Sequence, residues 1–95
     1  MNENISQNIT ENRFELAMEG KTAIVEYVLS GNVITFLHTE VPPQLEGRGI
    51  GSTLAKYVLE YAKANQLKVS LQCPFIRSYI DRHPEYTSLL LQQPH

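Results

Sequence analysis

The sequence has no tryptophan, a single cysteine and no long unbroken apolar run. Each scarcity removes a class of reading. Cys73 has no partner for an internal disulfide, so the chain suits a reducing compartment. No stretch approaches the roughly eighteen consecutive apolar residues of a membrane span, and the N-terminus lacks a basic start followed by an apolar run. A cytoplasmic protein, neither inserted nor exported and with no membrane partner, is expected. Asn4-Ile5-Ser6 and Asn8-Ile9-Thr10 fit the glycosylation pattern, but without a secretory signal they are read as chance. Eight Lys and Arg against ten Asp and Glu give a net charge of −2, and the basic residues are scattered, so no nucleic-acid partner is expected. A metal site from His38, Cys73 and His83 is not expected either, because no ligand pair has a recognised spacing.

What remains is enough for one modest core: 95 residues, 42% of them hydrophobic. Residues 1–13 are polar apart from Ile5 and Ile9 beyond the initiating Met1 and read as a disordered tail, as do residues 92–95. A single domain over residues 14–91 is expected.

Within it, alternation and turn residues mark strands first. Phe14, Leu16 and Met18 share one face of a strand that Gly20-Lys21 turns, and residues 22–29 are β-branched and aromatic enough for a second. Ser30-Gly31-Asn32 is a hairpin signal. Residues 33–40 form the third strand, which Pro42-Pro43 ends because neither proline donates to a ladder. The period then changes to near 3.6: Ile50, Leu54, Tyr57, Val58 and Tyr61 lie on one stripe, predicting an amphipathic helix over 50–64. Leu67, Val69, Leu71 and Cys73 alternate along a further strand, parallel to the third because a crossover helix joins them. A second helix follows from Pro74 until Pro84 stops it, and Leu89-Leu90-Leu91 packs back on the sheet. The expected class is α+β: an antiparallel three-strand meander, a central helix, a parallel strand and a second helix.

The chemistry-bearing feature is Gly47-Arg48-Gly49-Ile50-Gly51 between a strand and a helix. Residues without Cβ let the chain turn sharply and let bound groups approach the amides, while the helix behind presents unpaired N–H groups and its positive dipole end. Phosphate oxygens, a pyrophosphate in particular, suit such a place. Arg48 can add a charge-assisted contact, and the Ser52 and Thr53 hydroxyls lie in the first helical turn. The same triplet could serve as a tight connection alone. It is neither a dinucleotide fingerprint, since its strand belongs to a meander, nor a nucleoside-triphosphate loop, since no Gly-Lys-Ser or Gly-Lys-Thr occurs.

Glu46-Gly47-Arg48-Gly49-Ile50-Gly51-Ser52-Thr53-Leu54 resembles the Gln/Arg-x-x-Gly-x-Gly/Ala motif that opens the central helix of the GCN5-related acetyltransferases, with Glu46 standing where Gln or Arg is usual. A second register, Gln44-x-x-Gly47-x-Gly49, also fits the letters. His38-Thr39-Glu40-Val41-Pro42, Cys73-Pro74-Phe75 and Arg82-His83-Pro84-Glu85-Tyr86 extend the resemblance, in order, to a branch of very small proteins of that superfamily. It implies an abbreviated form of that fold, lacking the first strand and the two helices that usually cover the acceptor. It also implies acetyl-CoA as co-substrate, with Val41, Glu46, Gly47, Arg48, Gly49, Ile50, Gly51 and Ser52 contacting the coenzyme. The pantetheine arm would pair with backbone over residues 37–41 like an added strand. The acceptor, an amine or other small nucleophile on a small molecule or a protein, stays undefined.

Transfer of an acetyl group needs a base, donors for the developing oxyanion and an acid for the departing thiolate. Cys73 ends the last strand, where the resemblance holds the thioester, and is either a nucleophile or a lining residue. His38 and Glu40 share a face of the third strand by period two and are candidate bases; their bland alternatives are a loop hydrogen bond and a solvated carboxylate. Tyr79 stands near where a tyrosine serves as the acid in the family resembled, or is a packed aromatic. His83 and Tyr86 are read as structural. Two functions stay open: acetyltransferase, or coenzyme-A-binding module without efficient turnover. A protein-interaction domain is a third.

Overall fold

The computed structural model describes residues 5–91. Five strands form one sheet in sequence order: β1 (Ile5–Asn8), β2 (Arg13–Met18), β3 (Lys21–Ser30), β4 (Val33–Glu40) and β5 (Lys68–Leu71). The first three pairings are antiparallel and the last is parallel. Helix α1 (Ile50–Ala64) makes the crossover to β5, and α2 (Pro74–Arg82) leads into a 3-10 segment at Pro84–Leu89. Both helices and the 3-10 segment pack together on one face of the sheet.

Local chemistry accounts for the elements. Glu19 and Gly20 take positive φ in the two-residue turn between β2 and β3, the conformation of a primed hairpin turn. Along α1 the apolar spacing buries Ile50, Leu54, Ala55, Val58, Leu59 and Ala62 against the sheet. Phe14, fully buried, anchors an aromatic cluster with Tyr27, Tyr57 and Tyr61 at ring separations of 5.2, 6.0 and 5.1 Å. Leu91 N–H donates to Val69 carbonyl oxygen at 2.8 Å, folding the end of the described chain onto the outer edge of β5.

The N-terminal segment departs from expectation. Residues 5–8, read as part of a disordered tail, pair with β2 as an edge strand. Their stabilisation is partly polar, and so invisible to a count of apolar residues: Gln7 Nε2 donates to the Tyr27 hydroxyl at 2.8 Å and to the Tyr61 hydroxyl at 3.3 Å, while Ile5 packs on the core rim. The antiparallel part therefore has four strands rather than three. The first strand, for which the sequence showed no room, is this β1, and it reaches β2 through residues 9–12 alone. Of the rest of the expected tails, Arg13 opens β2, and Met1 to Asn4 and residues 92–95 lie outside the described residues.

His38 and Glu40 share a face of β4, as expected, but it is not the face that Phe36 takes. Tyr27 pairs with Phe36 but Glu26 pairs with His38, so Leu37 is an extra residue, a β-bulge. The pleat changes phase there. Ile34 and Phe36 face the helices; beyond the bulge Thr39, opposite buried Val25, does so, whereas His38 and Glu40 pair with Glu26 and Ile24 on the open face.

Candidate functional site

The site lies where β4 and β5 part. Their ladder runs from Val33 and Lys68 to Phe36 and Leu71, with one further bond from Gln72 N–H to Phe36 carbonyl oxygen at 3.0 Å. Beyond it the strands separate, β4 toward the turn at Pro42 and β5 toward Cys73 and α2. The gap opens into a cleft of about 370 Å³ bounded by the glycine turn and the first turn of α1. Every residue assigned to the coenzyme lines it except Arg48, and Thr39, Leu45 and Phe75 complete the lining.

The glycines do three different things. Gly49 is the N-cap of α1 with φ of 72°, and Gly47 has φ of 84°, conformations that side chains with a Cβ adopt at a penalty. Gly51 is helical, but a Cβ there would sit 2.6 Å from Phe75 Cζ, so its hydrogen lets α2 close over α1. No side chain caps α1 and no acidic residue occupies its first turn. Its leading amides, at Ile50, Gly51 and Ser52, are without intrahelical partners by geometry, and their residues line the cleft. The Thr53 hydroxyl, expected as a further donor, instead bonds Gly49 carbonyl oxygen at 2.9 Å.

Arg48 is turned away. Its Nη1 contacts Glu19 Oε2 at 2.6 Å across the β2–β3 turn. The hydrogen bond and the opposite charge hold the Glu19 carboxyl below its usual range and raise the Arg48 guanidinium correspondingly.

Cys73 is 3% exposed and does not line the cleft. Its Sγ lies 3.1 Å from Thr39 Oγ1, and it is Thr39 that faces the cavity. Tyr79 belongs elsewhere: its ring stacks on His83 at 4.1 Å and lies 6.2 Å from Tyr86, and burial raises its phenol above the ordinary value. Tyr86 in turn donates to Glu60 Oε2 at 2.6 Å, tying the 3-10 segment to α1. Neither tyrosine lines the cleft. His38 and Glu40 are both exposed, on the opposite side of β4 from Thr39. Among the described residues no three His, Cys, Asp or Glu side chains converge as a metal site.

Residues 13–89 match the family model described as GCN5-related N-acetyl-transferase. The chain belongs to this acetyltransferase family. Among its relatives is Protein NATD1 of Gallus gallus, 38% identical over 61 residues, which are 64% of this chain and 54% of the relative. The Danio rerio protein of that name is 27% identical over 84 residues, 83% of this chain and 76% of its own length. The chain thus spans about half the length of the first of these curated relatives. The solution NMR structure of a GCN5-like protein from Staphylococcus aureus superposes with a TM-score of 0.75 at 32% identity, covering 99% of this chain and 93% of that one. The α+β architecture is accordingly that of the acetyltransferase fold.

Within this acetyltransferase fold, sequence reasoning missed Thr39, Leu45 and Phe75 as cleft residues. Thr39 was hidden by the bulge, which reverses the face that period-two counting gives it. Phe75 left a trace: it stands in the Cys73-Pro74-Phe75 motif that carries part of the resemblance.

Proposed function

We propose that the protein binds acetyl-CoA in this cleft and transfers the acetyl group to an amine. The observation that carries the reading is the continuity of the cleft from the α1 amides to Thr39, where β4 and β5 separate. The open amides of Ile50, Gly51 and Ser52, with the dipole of a fifteen-residue helix behind them, suit a pyrophosphate; Gly47 and Gly49 add no side chain that would keep it off. Val41 and Leu45 supply apolar wall for the arm of the coenzyme, and the edge of β4 beyond its ladder with β5, from Leu37 to Glu40, offers backbone groups to an extended ligand. Acetyl-CoA would bring an activated thioester; the chain itself binds, orients and moves protons.

The two sides of β4 divide those tasks. Thr39 faces the cleft, while His38 and Glu40 face the open side of the sheet and are the groups an incoming amine would meet. Either can take the amine proton, which places general-base chemistry on a surface reached without crossing the coenzyme cleft. Tyr79, stacked on His83 and outside the cleft lining, has no comparable support as the acid for the thiolate.

A coenzyme-A-binding module with little turnover is the second reading. It is favoured by the uncovered sheet face, where the described residues place no helix over His38 and Glu40. Calorimetric titration with CoA and acetyl-CoA, followed by assay of CoA release across an amine library, tests both. Binding with release supports the transferase, binding without release supports the module, and absence of binding sinks both.

A further inference from the structure

Resting on the acyl-CoA reading above, we propose that Thr39 rather than Cys73 is the side chain that touches the acyl group, its hydroxyl donating to the thioester carbonyl oxygen, with Cys73 as the positioning residue behind it. Three observations converge. Thr39 lines the cleft at the point where the ladder between β4 and β5 ends, and Cys73 does not. The two side chains are 3.1 Å apart, Oγ1 to Sγ, so the thiol is engaged by Thr39 rather than directed at the cavity. The bulge at Leu37 is what turns Thr39 toward the helices, since without it Thr39 would follow Thr35 onto the open face.

Either atom of the pair can donate, and the hydroxyl is both the better donor and the better acceptor. With a thioester carbonyl in the cleft, the arrangement that uses both hydrogens has the Thr39 O–H on the carbonyl oxygen and the Cys73 S–H donating to Thr39 Oγ1. The result is a short chain, S–H to O–H to carbonyl oxygen, in which each bond polarises the next. During transfer the amine nitrogen forms a bond to the acyl carbon, and negative charge builds on the acyl oxygen, where the Thr39 O–H meets it. The carbon–sulfur bond then breaks, CoA leaves as its thiolate, and the proton given up by the amine ends on that thiolate through base and solvent. Nothing is oxidised or reduced, and Cys73 forms no bond.

Isotope-edited infrared spectroscopy of [1-13C]acetyl-CoA bound to the intact protein tests this without requiring an acceptor. A hydrogen bond to the thioester carbonyl lowers its stretching frequency, so the bound wild-type band is expected below that of free acetyl-CoA. Thr39→Val, close in shape, should bind with affinity within about threefold of wild type by calorimetry yet return the band to the free position. Thr39→Ser should restore the shift. Cys73→Ser, which keeps a donor behind Thr39, should retain it, and intact mass spectrometry should find no acetyl group on Cys73. Should Thr39→Val fail to fold, Thr39→Ala supplies the same comparison. The assignment is overturned if the hydroxyl-free variant keeps the shift, if Cys73→Ser loses it, if wild type binds with no shift, or if Cys73 carries acetyl. A wild-type protein that does not bind CoA overturns the acyl-CoA reading itself, and the Thr39 assignment with it.

Discussion

Arg48 reaches across the β2–β3 turn to Glu19, Nη1 to Oε2 at 2.6 Å, and so the only arginine of the glycine turn is held on the rim of the cleft rather than within it. Both side chains are well exposed, so the pair is screened and readily exchanged for a phosphate contact. Glu19→Gln should therefore tighten CoA binding by no more than about fivefold, and Arg48→Ala should weaken it by no more than a similar factor, both effects shrinking with added salt. Because Arg48 depresses the Glu19 carboxyl, the pair persists above the ordinary carboxylate range and is lost only as pH falls through the lowered value. Affinities of wild type and Glu19→Gln should run parallel with pH near neutrality and converge in acid. A large, salt-insensitive loss in Arg48→Ala would show that the guanidinium enters the cleft.

Gly51 and Phe75 should be coupled. Alanine in place of glycine inside a helix ordinarily stabilises by about 0.5–1 kcal/mol, but here the new methyl would sit 2.6 Å from the Phe75 ring. In a Phe75→Ala background Gly51→Ala should show the ordinary gain; in the wild-type background it should be neutral or destabilising. Denaturant unfolding of the four proteins gives the coupling directly, and additivity within about 0.5 kcal/mol would show that the ring simply swings out.

Tyr86 is buried and donates to the exposed Glu60 carboxylate. Tyr86→Phe should cost about 1 kcal/mol, less than a fully buried charged hydrogen bond because water reaches Glu60. Burial first, and the hydrogen bond to Glu60 second, raise the phenol above its ordinary value of 10.0. A raised value means that the folded state holds the proton longer, so this contribution is complete below pH of about 10 and is lost as pH rises beyond it. Wild type should lose stability in that alkaline window faster than Tyr86→Phe, as thermal melts across the range would reveal.

How much of this was legible in the letters differs by element. The α1 boundaries follow from Ile50, Leu54 and Val58 at helical spacing with glycine before them, and both hairpin turns from their glycines, because each signal is local. β1 was not, since its anchor is Gln7, whose partners Tyr27 and Tyr61 are 20 and 54 residues away. The glycine turn revealed most of the cleft, but Arg48 looked free only because Glu19 is distant in sequence. The bulge is the costliest omission: one extra residue, Leu37, exchanges the faces of the residues after it, so His38 and Glu40 share a face as period two requires, but it is the face opposite Phe36, and Thr39 takes the side of the cleft.

Gln7 gives that lesson a measurable form. Its amide is what binds β1 to the hydroxyl of Tyr27, which is buried. Gln7→Ala should cost about 1 kcal/mol by leaving that hydroxyl without its donor, and Gln7→Glu should cost as much or more by replacing a donor with a charge. Chemical denaturation measures both, and unchanged stability in either would mean that the Gln7 amide contributes nothing and that β1 is held by its ladder and by Ile5 alone.

The last test separates the two sides of β4. His38 and Glu40 face away from the cleft, so substituting them should leave CoA affinity within about twofold while affecting any step that removes a proton from an incoming amine. With an amine that supports CoA release, Glu40→Gln and His38→Asn should each be assayed across pH. Removal of the general base typically lowers the rate by a factor on the order of 100 to 10,000 and abolishes the corresponding limb of the pH profile. The variant that shows both changes identifies the base. If neither does while CoA still binds, the amine proton leaves to solvent, and the open face serves only to admit the acceptor.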